Sequence, residues 1–187
     1  MVLDESVGIL QHMKAGSTLI DHTTSSPTLA EEIFAKATER NIHSIDAPVS
    51  GGDIGARSGK LVTMVGGTEQ GVQSVRELLD IYSVEVQHMG ATGAGQHTKA
   101  CNQIMIATTM VGVCESLLYA QRVGLNHEQM INLLSKGAAG SFSLEKVGPR
   151  MLKRDFEPGF YAKHFLKDLG IVLEECRRMK LSVPGTA

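Results

Sequence analysis

The chain has 187 residues, 42% hydrophobic and 20% charged, with a formal net charge of -2. That length can bury a core, and that composition lies outside the disordered and fibrous classes. No block of like charge supplies the basic footprint a phosphate backbone requires, so nucleic acid is not an expected partner.

Val7, Ile9, Leu10 and Met13 give residues Ser6 to Met13 a short helical pattern, closed by Lys14-Ala-Gly16. Ser17 to Asp21 reads as a strand, His22 to Pro27 as a hydroxyl-rich loop and Thr28 to Asn41 as a helix. The pattern then repeats. Ser44 to Ala47 reads as a strand, Gly51, Gly52 and Gly55 as a glycine-rich turn, and Leu61 to Val65 as another strand. Thr68 to Tyr82 carries Val72, Val75, Leu78 and Leu79 on one helical face, and Val84 to His88 is a further strand.

Beyond Gly95 the character changes. Gln96 to Val123 contains no proline and only Gly112, which predicts one helix of roughly 42 Å at about 1.5 Å per residue. Helices follow at about Glu128 to Ser135 and Lys163 to Met179, with Lys136 to Ser141 as a loop. The expected architecture is α/β followed by all-α, divided into 1–92 and 93–187. So long a helix with an apolar supply suggests a homo-oligomer.

Uninterrupted apolar runs stay short of the roughly 18 residues of a membrane span, and Met1 to Gln11 lacks the regions of a secretory leader. Cys101, Cys114 and Cys176 are an odd count spaced too widely for zinc, which fits reduced thiols. A soluble intracellular protein, cytoplasmic or mitochondrial, with no membrane partner is the expectation.

Two segments could carry chemistry. Asp46-Ala-Pro-Val-Ser50-Gly51-Gly52 ends a strand in residues whose backbone amides are open to a carboxylate, although a tight turn would use the same residues. Gly90-Ala-Thr-Gly93-Ala-Gly95-Gln-His-Thr-Lys99-Ala-Cys-Asn102 opens the long helix in glycines, where amides and the helix dipole favour an anion. Its glycine spacing is not that of a dinucleotide fingerprint. Lys99 lies three residues from Asn102 and four from Gln103, which puts an amine and an amide on one helical face where a ligand could meet both. Oxidising an alcohol needs a base for the hydroxyl proton, and a lysine serves where its surroundings lower its pKa. A solvated charge is the plain alternative, but a lysine near the positive end of a helix is electrostatically disfavoured. The histidines show no metal-ligand spacing, and Cys101 has no partnering histidine, so neither metal nor thiol chemistry is expected.

These residues resemble the β-hydroxyacid dehydrogenase family of the 3-hydroxyisobutyrate dehydrogenase type: DAPVSGG at 46–52, GATGAGQHTKACN at 90–102 and KDLG at 167–170, in family order, with LVTMVGG at 61–67 between them. The resemblance implies a partial Rossmann-like domain followed by a helical domain, with NAD or NADP as cofactor. It implies Lys99 as the catalytic acid/base, Ser50, Gly51 and Gly52 on the substrate carboxylate, and Asn102 orienting the substrate. It also implies that Thr24 and Lys167 contact the cofactor, and that Phe160 and Asp168 stand near the site as in glyoxylate and succinic semialdehyde reductases. The implied substrate is a small 3-hydroxy acid or, in reverse, an aldehyde acid. A glyoxylate or succinic semialdehyde reductase is the alternative, and a non-catalytic oligomerisation module a further one.

The family's first strand, its G-x-G-x-x-G turn and the residue selecting NAD or NADP are not in this sequence. A complete dinucleotide-binding domain needs further βα units, so a truncated chain with weak or no activity alone is the expectation.

Overall fold

The computed structural model describes residues 2–4 and 6–187. Its first half alternates α1 (Ile9–His12), β1 (Thr18–Asp21), α2 (Pro27–Glu39), β2 (His43–Asp46), β3 (Val49–Ser50), α3 (Gly52–Ser58), β4 (Leu61–Gly66), α4 (Glu69–Tyr82) and β5 (Ser83–Gly90). The second half is helical: α5 (Ala94–Arg122), α6 (His127–Leu134), a π-helical turn (Ser143–Val147), α7 (Gly148–Leu152) and α8 (Ala162–Met179). A Rossmann-like layered unit followed by helices joined through one long helix is the architecture expected.

The helix starts follow local chemistry. The Ser26 hydroxyl accepts the Leu29 amide at the head of α2, where Pro27 costs no hydrogen bond, and the Thr68 hydroxyl accepts the Gly71 amide at the head of α4. Pro27, Ala30, Ile33 and Ala37 then form the buried stripe of α2. Between the sheet and α4, Ile45, Ala47, Val65, Val72, Leu79 and Val86 make the main core. A smaller cluster of Leu10, Ala37 and Ile42 lies on the α1 side.

The sheet departs from the parallel arrangement expected. β1 pairs with β2 and β4 with β5 in parallel, but β2 meets β4 antiparallel at Asp46 and Gly66, and β3 continues antiparallel to β4 through Val49–Thr63 and Ser50–Val62. The reason lies at Pro48, which has no amide to donate and separates β2 from β3. Its carbonyl accepts the Met64 amide instead. β4 is thereby flanked on both edges, and Thr63 and Val65 are fully buried in it.

Two further expectations need correction. The glycines at 51, 52 and 55 do not form a simple turn: Gly51, at φ 126°, turns the chain out of β3 and α3 follows. Residues 143–152, for which the sequence predicts no helix, are helical. They pack Leu144 against Val113 of α5 and Ile131 of α6, in a core that forms only once three segments meet. By length and composition α5 is apolar enough to cross a membrane, with a mean hydropathy of 1.3 over 18 residues. Its first turns nevertheless bury Gln96, Lys99 and Gln103 against polar partners.

Candidate active site

The site begins where α5 is pressed onto the sheet. Gly93 takes the left-handed conformation at the helix start, φ 88°, and has no side chain of its own to cap it. Asp46, 3% exposed at the end of β2, supplies the cap: Oδ1 accepts the Gly93 amide at 2.8 Å and Oδ2 the Gln96 amide at 2.9 Å. A carboxylate there also complements the positive end of the helix. The contact is close enough to require glycine on both sides. A Cβ at Gly95 would lie 2.6 Å from the Met64 carbonyl oxygen, and one at Gly66 would lie 2.5 Å from Asp46 Oδ1. The glycine-rich helix start, expected to receive a substrate anion, therefore receives the protein's own Asp46.

One turn on, Lys99 faces inward and is 7% exposed. Its Nζ donates to the Val49 carbonyl at 2.8 Å, the residue before Ser50, so the amine lies beside the Ser50-Gly51-Gly52 segment. Burial pushes the Lys99 pKa below the ordinary 10.5; the Asp168 carboxylate opposes that shift and the Lys167 charge adds to it. A neutral amine held by one donated hydrogen keeps its lone pair for another proton.

A chain of polar contacts runs from Asn102 across α8 to the loop after β1. Asn102 Nδ2 donates to Gln103 Oε1 at 2.7 Å, and Gln103 Nε2 donates to Asp168 Oδ2 at 2.7 Å. Asp168 is 2% exposed; its Oδ1 lies 2.8 Å from Lys167 Nζ, an ion pair outside hydrogen-bond alignment. Lys167 in turn donates to the Thr24 carbonyl. On the other flank, the carbonyl of Gly159 comes alongside Gly52. The Phe160 ring beside it is half-exposed and packs with His164 and Phe165. Asn102, Gln103, Asp168, Lys167 and Thr24 are thus linked in one region, Lys99 feels the charges of Asp168 and Lys167 and reaches the Ser50 to Gly52 segment through Val49, and Phe160 reaches that segment only through its neighbour Gly159.

Sequence reasoning missed Asp46 as a cap and Gln96 altogether, and placed Gln103 on the Lys99 face without its partner Asp168. Gln103 lies one helical turn from Lys99, the only signal that pointed inward. Asp46 was legible only as part of a strand end.

Two family models match the chain: the NAD-binding domain of 6-phosphogluconate dehydrogenase over residues 1–93, and the NAD-binding domain of NADP-dependent 3-hydroxyisobutyrate dehydrogenase over residues 93–187. The sequence is 50% identical over 187 residues to 3-hydroxyisobutyrate dehydrogenase-like 1, mitochondrial, of Arabidopsis thaliana, covering all of this chain and 56% of that protein. It is 49% identical over 180 residues to an uncharacterized oxidoreductase of Bacillus subtilis, covering 96% of this chain and 62% of that one. The fold superposes on Mycobacterium tuberculosis 3-hydroxyisobutyrate dehydrogenase with L-serine at a TM-score of 0.86 and 29% identity, covering 95% of this chain and 63% of that one. The chain thus spans about three fifths of the length of the curated relatives it matches. Both matched models describe NAD-binding domains, and the cofactor class is NAD or NADP. By these matches and by its layered fold, the chain belongs to the 3-hydroxyisobutyrate dehydrogenase family of NAD(P)-dependent oxidoreductases.

Proposed function

We propose that the chain interconverts a small 3-hydroxy acid and its aldehyde acid, with Lys99 as the acid/base. The observation that carries this reading is the buried Lys99 amine, its pKa lowered by burial, which donates to the carbonyl of Val49, the neighbour of Ser50. Lysine at its ordinary pKa is almost wholly protonated near neutrality and accepts no proton; desolvation raises the neutral fraction. The position of Lys99 deep in the fold, rather than on the surface, also favours chemistry over a purely structural module.

The residues fit the nicotinamide end of the cofactor. The Ser25 hydroxyl is buried without a partner among the described residues, in the loop where Thr24 and Lys167 meet. Thr24 and Lys167 would hold that end. Bound NAD or NADP supplies the hydride acceptor when the alcohol is oxidised. In that direction Lys99 takes the hydroxyl proton on its amine, and in reduction it returns the proton to the carbonyl oxygen. Ser50 and the Gly51 and Gly52 amides hold the substrate carboxylate, and Asn102 orients the carbon that reacts. Asp168, tied to Gln103, keeps a negative charge near Lys99 and so moderates the loss of its proton. Phe160 covers the substrate from the 155–160 segment.

A 3-hydroxy acid is favoured as substrate class, since the superposing Mycobacterium protein is described with L-serine, which carries a hydroxyl and a carboxylate at that spacing. We further propose two domains, 1–92 and 93–187, the matched models meeting at residue 93. A homo-oligomer formed on α5 is supported by the exposed Met105, Val111, Leu118 and Tyr119.

The test compares turnover of 3-hydroxyisobutyrate, L-serine and glyoxylate with NAD and NADP in the parent chain and in Lys99→Ala. Loss of general acid/base catalysis is expected to slow turnover by about 100-fold or more. Equal rates overturn the role of Lys99. Absence of turnover together with absence of any cofactor-induced NMR shift at Thr24 overturns the oxidoreductase reading for this chain.

A further inference from the structure

Gln96 is 2% exposed, an amide side chain buried in the first turn of α5. Every hydrogen-bonding direction it offers to the fold is aimed at the loop that leaves β1. Its Nε2 donates to the Thr23 carbonyl at 2.7 Å, and its Oε1 accepts the Ser25 amide at 3.1 Å. Between those two peptide groups lies Thr24, whose carbonyl accepts from Lys167 of α8. Three successive residues of a loop are therefore held by side chains from the helical half of the molecule. On the loop's other side, the Thr23 amide is tied to Asp21 Oδ1 at 2.8 Å.

The same residue is fixed at its own backbone. The Gln96 amide donates to Asp46 Oδ2, and Asp46 stands at the end of the strand that leads through Pro48 to Val49, the acceptor of Lys99. Lys99 lies three residues beyond Gln96 on α5. Gln96 thus touches the loop with its side chain and the β2 end with its backbone, on the helix that carries the amine.

We propose that Gln96 is a positioning residue that sets the distance between the Thr24 loop and Lys99, and through it the placement of the cofactor's nicotinamide end relative to the proton acceptor. The inference rests on the oxidoreductase reading above and extends it to a residue whose bonds run to the loop and to Asp46. A loop segment flanked by serine, threonine and proline has little apolar surface to bury, so its conformation depends on such bonds. Removing an amide that satisfies two part-buried backbone groups leaves both without their protein partner, and the loop is then free to open.

The experiment uses the 187-residue chain with Gln96→Met, which keeps length and burial but removes both bonds, and Gln96→Glu, which keeps the acceptor for Ser25 and loses the donor to Thr23. Hydrogen exchange of the Ser25 amide is expected to quicken at least about tenfold in Gln96→Met, while the amide of Val65 in the central strand is unchanged. Affinity for NADH and NADPH, followed by the NMR shift of Thr24, is expected to fall at least about threefold. Gln96→Glu is expected to fall between parent and Gln96→Met and to recover as the introduced carboxyl is protonated, which a loss of packing alone would not do. Unchanged Ser25 exchange overturns the inference, and so does faster exchange with unaltered cofactor affinity. A parent chain that takes up no cofactor removes the oxidoreductase reading, and this inference with it; a parent that binds while Gln96→Met binds equally well removes the inference alone.

Discussion

Asp46 and Gln96 are fifty residues apart in the chain, and the bond from the Gln96 amide to Asp46 Oδ2, 2.9 Å long, joins the end of a strand to the start of the helix that carries Lys99. With the matching bond from Gly93, both oxygens of a buried carboxylate are spent on one helix N-terminus. This side chain registers the sheet and the long helix to each other.

That relationship makes Asp46→Asn informative. The amide has nearly the same shape but only one acceptor, so its NH2 must face one of the two backbone donors, and the charge that complements the helix end is gone. A loss of about 1–3 kcal/mol is expected from a buried donor left unpaired next to a lost charged partner. Urea unfolding of parent and variant measures it, with an unchanged slope showing that the effect is on stability. A shift of less than about 0.5 kcal/mol would mean that apolar packing, not the cap, seats the helix.

The two helical glycines of α5 divide sharply. A Cβ at Gly95 would lie 2.6 Å from the Met64 carbonyl oxygen and 2.7 Å from that of Asp46, both backbone atoms that cannot swing aside, whereas a Cβ at Gly112 meets nothing within 4 Å. Gly95→Ala is therefore expected to lift the helix start from the sheet at a cost of about 1–3 kcal/mol. Gly112→Ala on the exposed face should add about 0.5–1 kcal/mol of stability by restricting the unfolded chain. Thermal unfolding of the two variants should move the midpoint in opposite directions, and movement in the same direction would contradict the close seating of Gly95.

The legibility of the sequence follows the range of the interactions. The stripe of α2, the length of α5 and the strand at 61–66 rest on local periodicity, and were placed within two or three residues at their ends. Lys99 and Asn102 could be paired because three residues of helix put them on one face. The antiparallel entry of β2 and β3 onto β4 was not legible, because the turn at Pro48 gives no sign of which strand it will return to. The helical turns at 143–152 were missed for a similar reason: their apolar residues pack against α5 and α6, and no segment alone shows a complete stripe. Gln103 could be put on the Lys99 face by its spacing, but Gln96 looks like an ordinary helix residue in the sequence, since a buried amide is distinguished only by the backbone groups that meet it in the fold.

The titration of Lys99 provides the sharpest check on the electrostatics. Its folded pKa is lowered chiefly by burial, with Asp168 pulling it up and Lys167 pushing it down. Replacing Asp168 by Asn removes the upward pull and is expected to lower the Lys99 pKa further; replacing Lys167 by Met removes a neighbouring positive charge and is expected to raise it. Both shifts can be followed by the nitrogen resonance of the Lys99 amine. The sign also fixes a stability effect: between the lowered folded value and the ordinary 10.5 the unfolded chain holds a proton that the folded chain has released, so this group makes stability rise with pH across that window. Below the folded value both states are protonated and the rise ends. Lys99→Met should flatten that alkaline limb, and in the parent the rate of alcohol oxidation should climb as pH passes the lowered value rather than near 10.5. A Lys99 amine that titrates at or above the ordinary value would mean that water reaches it freely, and the buried base at the centre of the proposed chemistry would have to be abandoned.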